Sequence, residues 1–119
     1  MSHAGDFVLT LFHAATNAHI LHLQTRNYAA HVALGEFYEA LPGLADRLAE
    51  AIQGAELELL KFPIDYFAPA DSPLEELEQL KDYVDQERSA VSTRSEIQNI
   101  IDEIADLIDS TLYKLKFLS

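Results

Sequence analysis

Apolar residues recur every three or four positions in four separate stretches of the chain, and this period is typical of helices with one buried face. The second stretch constrains the fold most, because its apolar stripe stays in phase from residue 28 to residue 53 although Pro42 lies within it. An interior proline removes one helical hydrogen bond and favours a kink. We therefore predict one kinked helix there, with Gly54 as its C-terminal stop. The stripe consists of Ala30, Leu34, Phe37, Leu41, Leu44, Leu48 and Ile52.

The same period predicts three further helices, at about residues 5–24, 73–90 and 94–117. The third helix has a strong start, because Ser72 caps it, Pro73 suits its first turn, and Glu75 follows three residues after the cap. Residues 93–96 repeat this capping signature ahead of the fourth helix. Since 119 residues form one core but not two, we predict a single all-α domain spanning residues 1–119.

Residues 55–71 form a long connection between the second and third helices, and the prolines at positions 63 and 69 interrupt any helix there. A four-helix bundle needs such a connection when two successive helices run parallel. We therefore predict a four-helix bundle with a long crossover between helices 2 and 3. The crossover is too apolar for a free linker, so we expect it to pack on the bundle or on a neighbouring subunit. Its large apolar residues are Phe62, Ile64, Tyr66 and Phe67.

Four potential metal ligands are spaced along the first two helices: His19, His31, Asp46 and Glu50. Imidazole nitrogen and carboxylate oxygen together suit iron, manganese or zinc, and the two acids lie one helical turn apart. A turn near residue 25 would make the two histidines face each other, whereas His31 and Asp46 lie about 22 Å apart along one helix. The acids must then come from a second copy related by a two-fold axis. The spacing therefore predicts a dimer with a shared metal site.

This spacing, which ends in the run Asp46-Arg47-Leu48-Ala49-Glu50, resembles the shared ferroxidase site of Dps-type mini-ferritins. In that family, two histidines of one subunit and an Asp and a Glu of its dimer partner bind iron. The subunits are ferritin-like four-helix bundles that assemble into hollow dodecamers. A weaker resemblance continues through the last helix, so the similarity covers most of the chain but is specific only in the first half.

The resemblance implies an iron-binding protein that oxidises Fe(II) with peroxide or oxygen, stores iron (Fe2+/Fe3+) and protects against oxidative stress. Its ligands would be His19 and His31 of one subunit with Asp46 and Glu50 of the partner subunit. His22, one turn from His19, is a further candidate ligand, although a structural role is the stronger interpretation. The homo-oligomer would be a two-fold dimer within a dodecamer.

The chain is strongly acidic, with 20 Asp and Glu residues against 8 Lys and Arg residues and a formal net charge of -12. Such a surface repels phosphate, and the Lys-rich tail through which many Dps-type proteins bind DNA is missing, so we expect no nucleic-acid binding. The lack of cysteine excludes disulfides, thiolate metal sites and cysteine nucleophiles. No apolar run is long enough for a bilayer and no signal peptide is evident, so we expect no membrane association and a cytoplasmic location.

Two departures from the mini-ferritin pattern keep other functions open. Ile20 stands where the family usually has Trp, and Pro42 and Gly43 interrupt the second helix. One alternative is a catalytically degenerate ferritin-like bundle that serves in interaction or assembly. The other is an all-α, Mg-dependent nucleotide pyrophosphohydrolase, because residues 75–78 and 103–106 resemble its paired acidic clusters. The first cluster is one residue short, which turns its third glutamate by about 100° around the helix.

Overall fold

The computed structural model describes residues 2–118, and within that range the chain is all-helical, with four helices and no strand. The helices are α1 (Ser2–Gln24), α2 (Tyr28–Glu56), α3 (Pro73–Val91) and α4 (Ser95–Phe117). Helix α1 packs against α2 and α3, and α4 packs against the same two helices. The four helices therefore surround one core in the order α1, α2, α4, α3, and the predicted all-α, four-helix class is confirmed.

Helix α2 is one continuous helix through Pro42, whose side chain is exposed. Gly54 is not its stop, because the helix continues to Glu56 and ends where Leu57 adopts the left-handed conformation (φ 53°, ψ 43°). This conformation is unusual for a residue with a side chain. Gln53 stabilises it, because its carbonyl also accepts the Glu58 amide at 3.4 Å, beyond the last helical bond from Leu57, and its Oε1 accepts the Leu60 amide at 3.0 Å. The left-handed residue is thus selected by local hydrogen bonds rather than by glycine.

The starts of the last two helices differ in how they are stabilised. Ser72 caps α3 as predicted, since its hydroxyl accepts the Glu75 amide at 3.2 Å and Pro73 is the first helical residue. Helix α4 has no side-chain cap, because Arg94 occupies the capping position. Its link to α3 is held instead by Gln98, whose Nε2 donates to the Ser92 carbonyl at 2.7 Å. The capping signature predicted at residues 93–96 is therefore not used.

All four helices contribute to a single apolar core. On α2, the predicted stripe is buried except for Leu44, which is half-buried beside the buried Ala45. The largest fully buried side chains are Phe7, Phe37, Leu11, Leu34, Leu41, Leu48, Ile52, Leu77, Ile97, Ile101, Ile104 and Ile108. Among the described residues, no helix combines the length and apolarity that crossing a membrane requires.

The segment of residues 57–72 connects α2 to α3 and contacts α1 on its way. Its backbone at Lys61 lies directly against Gly5, near the start of α1. Further on, the buried Asn17 donates from Nδ2 to the Phe67 carbonyl at 3.0 Å and accepts the Tyr66 hydroxyl at 2.8 Å. Gly5 and Asn17 are about 18 Å apart along α1. The segment therefore follows α1 over about that length.

The apolar side chains of this segment pack on the bundle less than predicted. Leu60 is buried, but Phe62, Tyr66 and Phe67 are exposed, and Ile64 is completely exposed. The segment is attached to α1 mainly by polar and main-chain contacts: the Lys61 backbone lies against Gly5, and Asn17 bonds the Phe67 carbonyl and the Tyr66 hydroxyl. Packing of these side chains on a neighbouring subunit stays a prediction.

Candidate functional site

A three-residue turn places the end of α1 against the start of α2. Within it, the Thr25 amide donates to the Leu21 carbonyl at 2.9 Å, and the Thr25 hydroxyl accepts the Asn27 amide at 3.2 Å. Asn27 then caps α2, because its Oδ1 accepts the Ala30 amide at 2.9 Å. The turn thus fixes which side chains of the two antiparallel helices meet.

The side chains that meet nearest the turn are those of His22 and His31. Their rings are stacked, with centroids 3.7 Å apart and planes inclined by 16°. His22 Nδ1 bonds the His31 carbonyl at 2.6 Å, and His31 Nδ1 bonds the His22 carbonyl at 2.8 Å. A carbonyl oxygen only accepts, so Nδ1 carries the hydrogen in both rings. Neither Nε2 bonds a described residue, so both remain free to bind a ligand.

His19 lies one turn earlier on α1, where its side chain is exposed. Its ring is stacked on Tyr38 of α2, with centroids 4.1 Å apart and planes inclined by 8°, and its centroid lies 6.1 Å from that of His22. His19 has no hydrogen bond to a described residue. We call His19, His22, His31 and Tyr38 the hairpin cluster.

The predicted pairing of His19 with His31 is replaced by two neighbouring pairs, His22 with His31 and His19 with Tyr38. One reason is that α1 ends at residue 24 and α2 begins at residue 28, so the centre of the turn lies beyond residue 25. The other is that side chains lean toward the N-terminus of their own helix. His19 therefore leans away from the turn and Tyr38 leans toward it, and they meet.

The two predicted carboxylate ligands lie elsewhere on α2. Asp46 and Glu50 are exposed, and Asp46 is about 22 Å along the helix from His31. Neither carboxylate bonds another described residue. Arg47, between them in sequence, pairs instead with Glu103 of α4 at 2.8 Å. One chain therefore brings the histidines together and leaves the acids apart, and within residues 2–118 no three His, Asp or Glu side chains are placed to hold one metal ion.

Gly35 is a further part of the site, and the sequence-based prediction missed it. A Cβ atom at this position would lie 3.2 Å from Cε1 and 3.4 Å from Nδ1 of His22. Contacts at 3.2 Å are tighter than ordinary van der Waals packing, so the missing side chain makes room for the His22 ring. Its position four residues after His31 on α2 was the available signal, because that spacing places it on the same helical face.

The acidic clusters that suggested a pyrophosphohydrolase are not brought together. Two ion pairs fix the register of α3 and α4: Lys81 with Asp109 at 2.9 Å, and Arg88 with Asp102 at 2.5 Å. In that register residues 75–78 lie level with residues 112–115, about 13 Å along the axis from residues 103–106. The described structure therefore gives that alternative no shared metal face.

Comparison with known proteins identifies one family. The sequence model of the "Family of unknown function (DUF5856)" matches residues 22–115. The matched range begins at His22 and includes His31, Asp46 and Glu50, whereas His19 precedes it. Searches of curated proteins and of solved structures give no match.

Proposed function

We propose that this chain, which belongs to the DUF5856 family of unknown function, is a ferritin-like protein. It binds and oxidises Fe(II) at a site shared between two subunits. His19 and His31 of one subunit provide nitrogen ligands, and Asp46 and Glu50 of the partner subunit provide oxygen ligands. The oxidised iron is stored within a closed homo-oligomer. Such a protein limits oxidative damage without contacting DNA.

The observation that carries the proposal is the hydrogen bonding of the hairpin cluster. A metal-binding histidine almost always donates its second ring N–H to a carbonyl or a carboxylate, which fixes the ring and leaves the other nitrogen for the metal. His31 has this arrangement, with Nδ1 bonded to the His22 carbonyl at 2.8 Å and Nε2 free. His19 is exposed, and its ring lies 6.1 Å from that of His22, which stacks on His31.

The position of the acids supports a shared site. Two imidazoles are too few ligands for iron, and carboxylates complete the mixed set that iron prefers. Asp46 and Glu50 are exposed, are one turn apart and lack a cation partner among the described residues. A two-fold axis would bring this acidic pair to the histidines of the other copy, twice in each dimer. The donor chemistry of the chain therefore fits iron, provided that the dimer forms.

Support for the ferritin-like connection comes from the path of residues 57–72. The segment contacts Gly5 after leaving α2 and Asn17 before entering α3, so it returns along α1 to the end at which α2 began. A connection of that kind makes α2 and α3 parallel, as ferritin-like bundles require.

The proposed reaction balances with peroxide as the oxidant. Two Fe(II) ions each give one electron to one peroxide molecule, whose O–O bond breaks, and two protons are taken up to form two water molecules. The protein residues hold Fe(II) and leave coordination positions open for the oxidant. A net charge of -12 raises the local concentration of cations and so favours delivery of Fe(II).

A non-catalytic assembly protein is the second candidate, and one observation favours it. The segment of residues 57–72 exposes several large apolar side chains, with Ile64 exposed completely and Phe67 by 65%. Contiguous exposed apolar surface commonly marks an interface with another protein. This function would need an interface with another protein but no metal.

Mixing of two defective subunits tests the shared site directly. The first variant carries His19→Ala and His31→Ala, and the second carries Asp46→Ala and Glu50→Ala. Each alone should neither bind Fe(II) anaerobically nor oxidise it with peroxide. When the two are co-expressed, half of the randomly formed dimers are mixed, and each mixed dimer has one intact site of two. About a quarter of the wild-type sites should therefore return.

Several controls make the outcome decisive. Glu39→Ala, which removes another exposed carboxylate of α2, should behave as the wild type does. Circular dichroism should confirm that each variant is folded. A wild-type protein that takes up no Fe(II) would refute the iron proposal, and a mixture without recovered activity would refute the shared site. Magnesium-dependent hydrolysis of nucleoside triphosphates would instead support the pyrophosphohydrolase.

A further inference from the structure

We propose that His22 is a positioning residue for His31, not a metal ligand, and that the two residues form a reciprocal clasp that keeps His31 in its Nδ1–H tautomer with Nε2 free. The consequence for metal binding rests on the proposed function above, whereas the clasp itself is independent of it. His22 acts through its ring, which covers one face of the His31 ring at 3.7 Å, and through its Nδ1–H, which bonds the His31 carbonyl.

The tautomer matters because neutral histidine has only one unprotonated ring nitrogen. An exposed histidine that is free to rotate exchanges the hydrogen between Nδ1 and Nε2, and only the unprotonated nitrogen binds a metal. His31 Nδ1 donates to the His22 carbonyl, which lies in the last turn of α1, where carbonyls lack an intrahelical amide partner. This bond gives a terminal carbonyl a donor and at the same time assigns the hydrogen to Nδ1.

The stacked geometry argues against His22 as a second ligand beside His31. The two ring planes are nearly parallel and 3.7 Å apart at their centroids. A metal lies close to the plane of the ring that binds it, so one ion cannot lie in both planes at an ordinary ligand distance. His22 therefore serves the site by fixing its neighbour.

Gly35 is the third part of the clasp. Its missing Cβ leaves the space that the His22 ring fills, since an added Cβ would lie 3.2 Å from Cε1 of that ring. Gly35→Ala should push the ring by a few tenths of an ångström and loosen the stack. Gly43→Ala is the matched control, because a Cβ added to Gly43 meets nothing within 4 Å.

The test uses nitrogen NMR of the imidazole rings in the metal-free protein and Co(II) titration as a spectroscopic probe of metal affinity. The wild-type spectrum should show His31 as the Nδ1–H tautomer, with a slowly exchanging ring N–H. His22→Ala keeps the carbonyl of residue 22 but removes the ring that holds the His31 ring against it, so the Nε2–H tautomer of His31 should become populated. Co(II) affinity should then fall by about 10–100-fold, as for other supporting partners of a metal ligand. Gly35→Ala should shift both readouts in the same direction, and Gly43→Ala should shift neither.

Two conservative substitutions separate positioning from ligation. His22→Phe keeps a flat ring against His31, and His22→Asn keeps a side-chain N–H near the position of Nδ1, but neither has an Nε2. Recovery of Co(II) affinity in either variant, relative to His22→Ala, supports the positioning role. Equal loss in all three would make His22 a ligand and overturn the proposal, as would an Nε2–H tautomer of His31 in the wild type. If the tautomer is as proposed but neither Co(II) nor Fe(II) binds, the clasp stands and the ferroxidase function fails.

Discussion

Gly5→Ala should destabilise the protein although alanine is the better helix former. Gly5 lies inside α1, where alanine alone would add about 1 kcal/mol of stability. The new Cβ, however, would overlap the carbonyl oxygen of Lys61 and lie 2.9 Å from its carbon. These are backbone atoms of the segment 57–72, so no side-chain rotation relieves the contact. The segment itself must move away from α1.

The magnitude follows from the two opposing effects. Forcing extra atoms into a packed contact costs about 1–3 kcal/mol, and the displaced segment also loses part of the burial of Leu60. Subtracting the helix-propensity gain leaves about 0–2 kcal/mol, and the partial loss of the burial of Leu60 brings the expected net loss in the free energy of unfolding to about 1–2 kcal/mol. Gly43→Ala, on an open surface of α2, should instead gain about 0.5–1 kcal/mol. The two variants should therefore change stability in opposite directions.

Urea unfolding followed by circular dichroism measures both changes, with wild-type slopes expected for each variant. Amide exchange adds a local readout, since the Leu60 amide bonds Gln53 and should lose protection in Gly5→Ala before the core amides do. If Gly5→Ala is as stable as Gly43→Ala, then the segment does not lie against α1 as described, and the path of the connection is refuted with it.

Two further predictions concern the contacts that α1 makes with the segment of residues 57–72 and with α3. Asn17→Ala removes both side-chain bonds to the segment, so the free energy of unfolding should fall by about 1–3 kcal/mol and proteolysis within residues 57–72 should become faster. Tyr66→Phe removes only one of these bonds and should lower the free energy of unfolding by less. Equal losses in the two variants would show that Asn17 does not bridge the segment to α1. Burial beside Phe7 raises the pKa of Tyr83 above its ordinary value of 10.0, partly opposed by the Thr10 hydroxyl and reinforced by the charge of Glu87. Because the folded pKa is the higher one, this contribution to stability is fully present below pH 10.0 and is lost as the pH rises through the folded pKa. The unfolding free energy of Tyr83→Phe should therefore fall less steeply there than that of the wild type. Spectrophotometric titration should show that the tyrosine signal missing from Tyr83→Phe belongs to a group that ionises above pH 10.0, and ionisation of that group below pH 10.0 would contradict this.

Periodicity and capping predicted the helices well where a single local effect dominates. The in-phase stripe through Pro42 identified one continuous helix, and Ser72 with Pro73 identified the exact start of α3. The sequence-based prediction failed where several distant groups compete. Glycine propensity predicted the helix end at Gly54, but the helix continues to Glu56, and Gln53 bonds the amides of Glu58 and Leu60 beyond that end.

The sequence predicted most residues of the candidate site but not which of their side chains contact each other. Spacing alone selected His19 and His31. Which rings stack depends also on where the turn is centred and on the direction in which each side chain points along its helix. Gly35 was missed, since its role is the space it leaves for the ring of another helix, and its only signal was the four-residue spacing from His31. Within one chain the acids stay apart from the histidines, so their joining across a dimer stays a prediction.

The three-residue turn between α1 and α2 also bears on the order of folding. Contacts between elements that are adjacent along the chain close small loops, which is fast and costs little chain entropy. The hairpin cluster lies wholly within residues 19–38, whereas α3 and α4 join only after the long segment has closed. We therefore expect the histidines to reach their places early, before the rest of the domain exists around them, so that a nascent chain would already carry half of a metal site.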